Sequence, residues 1–173
     1  MNTETPKPLV FLVEDNAFFA QTVALGLANK GLNIEWMSTG ESLLNKLKTT
    51  SPDIIVLDYH LDDSKENALT GGNYLDIIKA MYPRIPVLML TALTDTREAV
   101  KLLKKGAVDF IPKDDQFFDN LLKSLESIFQ ARELSHDLEN SVKQIKRLNR
   151  RLFTVIATVT VAMTALVVLY NYL

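Results

Sequence analysis

The chain has 173 residues, 47% hydrophobic and 23% charged, with a formal net charge of -2. That length holds one medium domain plus an appendage, and the balance of charge excludes a global basic field for gripping nucleic acid. With no cysteine, disulfides, thiolate chemistry and cysteine-ligated metals are excluded as well.

Met1 to Pro6 carry neither the basic nor the apolar region of a signal peptide, so the first domain is expected to stay in the cytoplasm. Leu9-Val10-Phe11-Leu12-Val13 reads as a first strand, ending in Glu14-Asp15. Asn16 is a candidate cap for a helix whose apolar Phe19, Val23 and Leu27 recur every four residues, and Gly31 is expected to end it. Leu32 to Met37 alternates, as a strand nearer a sheet edge does. Thr39-Gly40-Glu41-Ser42 opens a short second helix through Lys48, and Pro52 breaks the chain. In Asp53-Ile54-Ile55-Val56-Leu57-Asp58, branched apolar residues run unbroken into a carboxylate, the pattern of a strand buried on both faces of a parallel sheet.

From Leu61 to Gly71 the chain is polar and aperiodic; Asp62, Asp63 and Glu66 lack the alternate spacing and internal glycine of a calcium loop. Gly72 to Tyr82 reads as a third helix with Leu75, Ile78 and Ala80 among its apolar positions. Pro86 to Thr91 is a fourth buried strand ending in a hydroxyl. Asp95 begins a fourth helix that runs to Lys105 and stops at Gly106. Val108 to Ile111 is a short fifth strand, followed by Pro112-Lys113 and a fifth helix capped by Asp114 or Asp115.

Five strand–helix alternations predict an α/β fold: a five-stranded parallel, doubly wound sheet of flavodoxin-like order 2-1-3-4-5. Ligands in such sheets sit beyond the carboxyl ends of the strands. If the first and third strands are neighbours, Glu14, Asp15 and Asp58 converge there, and their hard oxygens suit Mg²⁺.

The residues to about 130 resemble the receiver domain of two-component response regulators, through Glu14-Asp15, Asp58, Thr91-Ala92, Phe110 and Lys113, each at or beside a strand end. The resemblance implies that Asp58 accepts a phosphoryl group from a histidine kinase or phosphotransfer protein. It implies a Mg²⁺ ion held by Glu14, Asp15, Asp58 and the backbone carbonyl of His60. It further implies that Lys113 pairs first with the acceptor carboxylate and then with the phosphoryl group. Thr91 would turn toward that group, and Phe110 would follow it inward. The His60 ring reads as a surface group. Two departures stand out: Pro112 precedes Lys113 and Asp114 follows it where most of the family has Lys-Pro, and the loop from Asp58 to Gly72 is longer than the resemblance predicts. Two other functions compete. One is a scaffold that uses the fold without phosphorylation, for which the acidic triad, Thr91 and Lys113 have no use. The other is a hydrolase with an Asp nucleophile, but Asp58-Tyr59-His60 lacks a nearby second carboxylate for acid–base work. The chain is therefore expected to be a phosphoacceptor and not an enzyme.

Six of the 19 Lys/Arg and three of the 21 Asp/Glu fall in residues 131–151, which leaves 13 basic and 18 acidic residues elsewhere, a net of -5. This basic stalk carries Ala131, Leu134, Leu138, Ser141, Ile145, Leu148 and Leu152 at alternating three- and four-residue steps. A coiled coil, and with it a homodimer, and a single solvated helix continuing the fifth are both open readings. Leu152 to Tyr170 then has no charge, Pro or Gly; its 19 residues make a helix of about 28 Å against a hydrocarbon core of ~30 Å. Thr154, Thr158 and Ala162 put small residues four apart on one face. Lys143, Lys146, Arg147, Arg150 and Arg151 precede the segment and are expected to hold its N-terminal side in the cytoplasm. Only Asn171 to Leu173 follow, so insertion after synthesis is expected. The division expected is 1–130 receiver, 131–151 helical stalk and 152–173 transmembrane tail anchor. The expected location is the cytoplasmic face of the inner membrane, single-pass with the N-terminus inside. Besides the kinase, the expected partners are membrane lipid and a downstream protein, with no direct DNA binding because no output domain is read.

Overall fold

A computed structural model describes residues 7–61, 69–92 and 96–172. The chain divides into two compact units, Met1–Glu126 and Ser127–Leu173. Its elements are β1 (Leu9–Val13), α1 (Ala17–Ala28), β2 (Asn33–Met37), α2 (Gly40–Leu47), β3 (Ile54–Asp58), α3 (Gly71–Met81), β4 (Val87–Thr91), α4 (Thr96–Lys104), β5 (Asp109–Pro112) and α5 (Phe117–Tyr172).

The five strands form one sheet in the order β2-β1-β3-β4-β5, every pairing parallel. This is the flavodoxin-like order expected of the sequence. β3 and β4 are buried throughout, because each has a strand on either side and helices above and below. β2 pairs only with β1, the edge position expected of it, but its burial does not alternate: Asn33 and Trp36, three apart and on opposite faces, are both exposed. Side chains alternate between the two faces of a strand. Phe11, Val13, Ile55, Leu57, Val87 and Met89 thus share one cluster with Leu43 of α2, Leu75 and Ile78 of α3 and Leu102 of α4. Each fully buried Leu or Ile in it stabilises the fold by about 1.5–3 kcal/mol relative to exposure. The Phe19 ring of α1 lies 5.1 Å from that of Phe117, at the start of α5.

Local chemistry sets the helix ends. The Asn16 side chain accepts a hydrogen bond from the Phe19 amide, and Thr39 caps α2 through the Ser42 amide. Gly31, at φ +84°, terminates α1 as expected: its amide donates to the Ala28 carbonyl and the Leu32 amide to the Leu27 carbonyl, and its missing Cβ is an advantage there. Gly106, at φ +99°, ends α4 as expected, its amide donating to the Leu103 carbonyl. Asp114 is the capping residue before α5: its carboxylate accepts from the Gln116 amide and its carbonyl from the Phe117 amide. In α3 the buried stripe is Tyr74, Leu75 and Ile78, while Ala80 faces solvent. Asp62, Asp63, Glu66 and the expected cap Asp95 lie outside the described residues.

In the second unit, every described side chain from Gln130 onward is exposed within the single chain. α5 is long and apolar enough to cross a membrane by length and composition. The hydroxyls of Thr154, Thr158, Thr160 and Thr164 donate to carbonyls of the preceding turn at 2.8–2.9 Å, so these polar groups are satisfied inside their own helix.

Candidate functional site

The pairing of β1 with β3, from Val10↔Ile54 to Val13↔Leu57, brings the two strand ends level. One carboxylate oxygen each from Glu14, Asp15 and Asp58 then lies within 4.8 Å of the others. Glu14 and Asp58 are 1% and 2% exposed, while Asp15 is open to solvent. Lys113 reaches the same volume from the end of β5. Its Nζ donates to Glu14 Oε2 at 2.8 Å and lies 2.9 Å from Asp58 Oδ2. The Lys113 amide donates to the Thr91 carbonyl at 2.8 Å, which anchors its backbone to the end of β4. Its ammonium also sits 4.6 Å from the centroid of the Phe19 ring, a cation–π contact. The Glu14 backbone is held by the Trp36 indole, which donates to its carbonyl at 2.8 Å.

Three carboxylates face one ammonium, so the site carries a formal excess of two negative charges. At an effective dielectric near 20, two like charges about 5 Å apart repel by roughly 3 kcal/mol. Burial pushes the Glu14 carboxyl above its ordinary value of 4.5; the hydrogen bond from Lys113 opposes this, and the Asp58 charge reinforces it. For Lys113, burial alone would lower the pKa, but the hydrogen bonds to Glu14 and Asp58 outweigh it and the net shift is upward from 10.5. Asp58 Oδ1 is buried and has no hydrogen-bond partner among the described residues. A buried carboxylate oxygen without a donor is costly unless another group satisfies it. An orphaned oxygen, a carboxylate-only donor set and a deficit of two positive charges all fit a hard divalent cation such as Mg²⁺.

The Glu14 shift has a testable consequence. A carboxyl whose pKa is raised by folding contributes stability that is complete below about 4.5 and is lost as pH rises through the folded pKa. Without Mg²⁺, ionising Glu14 in the folded state is therefore a net cost. Glu14→Gln is expected to raise the denaturation midpoint at pH 7 in EDTA, with the gain shrinking toward pH 4 and the stabilisation by added Mg²⁺ falling. Lys113 acts at the other end of the scale: its raised pKa gives stability that is present below 10.5 and fades above it.

Residues 10–126 match the family model for the response regulator receiver domain. The chain belongs to that family. Receiver domains are phosphoacceptor signalling domains that work with histidine kinases or phosphotransfer proteins and bind Mg²⁺ through an acidic cluster. The receiver is 29% identical over 133 residues to the regulatory protein LuxO of Vibrio vulnificus, covering 77% of this chain and 28% of that one. It is 30% identical over 105 residues to the DNA-binding transcriptional regulator NtrC of Escherichia coli, covering 61% of this chain and 21% of that one. The chain thus spans only a quarter or so of the length of these curated relatives. Among solved structures, the signal receiver domain of a Luxo repressor protein from Vibrio parahaemolyticus superposes with a TM-score of 0.68 at 28% identity, covering 78% of this chain and 98% of that one. The receiver domain of NtrX from Brucella abortus gives 0.64 at 27%, with 70% and 98% covered.

Within the receiver, Thr91 is buried at the end of β4 and Ala92 beside it is exposed. Phe110 on β5 is half-buried against the main core cluster. The His60 ring is also half-buried and stands edge-on to Tyr59 at 5.0 Å, so it is packed to a degree that the sequence reading of a surface group did not foresee. Three contributors carry no site signal in the sequence: Phe19 is one of the apolar residues recurring along α1, Trp36 a strand residue, and Gly71 the end of a polar loop. A Cβ on Gly71 would stand 2.0 Å from the Asp58 carbonyl oxygen, so α3 starts against the backbone of the acceptor.

Proposed function

We propose that this chain is a membrane-tethered phosphoacceptor switch. Asp58 takes a phosphoryl group from the phosphohistidine of a kinase or phosphotransfer protein, and the phosphorylated receiver signals through contacts with a downstream protein. The observation that carries this reading is the buried Asp58 carboxylate, one oxygen paired with Lys113 and the other without a partner among the described residues, at the end of β3 beside Glu14 and Asp15.

The roles follow from position. An Asp58 oxygen lone pair forms the O–P bond as the P–N bond to the donor imidazole breaks, and that electron pair returns to the ring nitrogen. Lys113 already touches Oδ2 and is free to shift toward the phosphoryl oxygens as charge moves onto them. Glu14, Asp15, Asp58 and the His60 carbonyl would hold Mg²⁺, which supplies charge neutralisation to the phosphoryl oxygens when bound. Thr91, at the adjacent strand end, donates its hydroxyl to the new group. The space this leaves draws Phe110 inward, with Ala92 giving the junction room to move.

Residues 1–130 form the receiver, 131–151 the basic stalk and 152–173 the membrane anchor, on the cytoplasmic face of the inner membrane. The length and apolarity of the last part of α5, its internally bonded threonines and the five cations ahead of it support this.

In membranes from cells producing the whole chain, the protein is expected to stay in the pellet through a carbonate wash. There it should take label from radiolabelled acetyl phosphate with Mg²⁺ and lose that capacity in EDTA. Release by carbonate would overturn the anchor. Retention without Mg²⁺-dependent labelling would overturn the acceptor and favour a phosphorylation-independent scaffold.

A further inference from the structure

The second unit has an apolar stripe whose phase does not stop where the charges stop. Steps of three and four lead from Leu134 through Leu138, Ser141, Ile145 and Leu148 to Leu152, then without a break through Val155, Val159, Ala162, Leu166 and Leu169. Unbroken 3.5-residue spacing across a helix is the pattern of a left-handed supercoil. In the aqueous part of the stripe, Leu134, Leu138, Ile145 and Leu148 are each 59–67% exposed in the single chain, an apolar strip broken only by Ser141.

We infer that a second copy of this chain covers the stripe, as one parallel two-stranded seam running in register from the stalk through the membrane segment. The inference rests on the membrane-tethered reading and adds the partner and the geometry to it. The heptad register and the charge pattern select a second copy. Ser141, Gln144, Ile145 and Leu148 occupy the d, g, a and d positions that receive an a-position knob, here Ile145 of an in-register copy. The charges also keep clear of the stripe. Of the nine charged side chains in 131–151, seven (Arg132, Glu133, Glu139, Lys143, Lys146, Arg147 and Arg150) occupy the outer b, c and f positions. The flanking positions that would face each other pair Asp137 with Val142 and Gln144 with Asn149, so no like charges meet. Within the membrane segment, the bonded threonine hydroxyls of Thr154, Thr158, Thr160 and Thr164 all lie off the seam and do not need a cross-helix partner. Apolar knobs carry the contact there. A common membrane tether holds both copies parallel and at one depth.

The lack of native cysteine makes the test direct. Single variants Ser141→Cys, Leu148→Cys, Val155→Cys and Ala162→Cys sample the seam on both sides of the boundary, and Lys143→Cys, Arg150→Cys, Ala157→Cys and Thr164→Cys sample the outer face. Full-length chains in carbonate-washed membranes are oxidised mildly and run without reductant. Because disulfides require close, facing Cβ atoms, seam variants are expected to crosslink about tenfold faster than outer ones, in the stalk and in the membrane alike. Two alanines inserted between Arg151 and Leu152 should abolish crosslinking at Ser141 or at Ala162, and a seven-residue insertion should restore both, since only the latter keeps the phase. Absence of crosslinking in retained protein would overturn the inference. So would fastest crosslinking at Thr158→Cys and Thr154→Cys, which would assign the membrane contact to the small-residue face instead. Indifference to the two-residue insertion would mean two separate interfaces and no single seam. Loss of the protein from the washed pellet is a different result, and would overturn the membrane reading itself.

Discussion

Asp58→Asn is expected to abolish phosphoryl incorporation, with labelling by acetyl phosphate and Mg²⁺ down by at least about a thousandfold, or ~4 kcal/mol in the barrier. The substitution keeps the volume of a residue that is 2% exposed and sits in a fully buried strand, so the sheet has no reason to change. What it removes is the nucleophile. An amide oxygen is a poor one, and the amide nitrogen has its lone pair tied up in resonance. The asparagine also loses one of the negative charges that hold Lys113 in place, while Glu14 keeps its own 2.8 Å bond to that ammonium. The folded domain should therefore survive: near-ultraviolet circular dichroism should match the parent while labelling disappears. Labelling that persists in this variant, still dependent on Mg²⁺, would move the acceptor to another carboxylate. Glu14 and Asp15 would then be the residues to replace next.

Gly71→Ala is expected to be the most damaging single methyl group in the receiver. The Gly71 amide donates to the Tyr59 carbonyl at 2.8 Å, and its added Cβ would meet the Asp58 carbonyl oxygen at 2.0 Å and the Tyr59 Cα at 2.8 Å. Both obstacles are backbone, so no side-chain rotation relieves them. Either α3 lifts from the end of β3, or the strand end moves and takes the Asp58 carboxylate with it. Overpacking of this kind costs about 3 kcal/mol or more. On a chain ending at Arg151, the unfolding free energy from denaturant titration should fall by that amount, and labelling should fall with it although the methyl touches no reacting atom. Gly72→Ala is the control: its Cβ would approach only the ring of Tyr59, at 3.2 Å, and that ring can turn. A Gly71→Ala chain as stable as its parent would show that the approach of α3 to the acceptor strand is looser than these distances require.

The sequence and the structure contribute different kinds of knowledge here. Strand β3 was legible because four buried apolar residues without alternation have few alternatives to a central parallel strand, and its carboxylate was legible because the ligand side of such a sheet follows from its topology. The Asn16 and Thr39 caps were legible because capping is a contact between residues three apart. The glycine stops of α1 and α4 were legible for the same reason: Gly31 and Gly106, both at positive φ, close bonds to carbonyls three residues back.

By itself the sequence determined the class of fold, the acidic pair and acceptor at two strand ends, and a second unit whose apolar period and preceding cations are properties of nearest neighbours along one helix. All of these are set by chemistry within about a dozen residues. Only the tertiary structure decided that Lys113, 99 positions from Glu14, bonds that residue and Asp58 together, and that the other Asp58 oxygen has no partner among the described residues. The same holds for Trp36 reaching the Glu14 carbonyl and for α3 beginning against the Asp58 backbone. These contacts join elements that the sheet order brings side by side. A side chain signals its own preference for burial or charge, but which distant atom satisfies it depends on register and crossing geometry, and those are set by the packing of the whole domain.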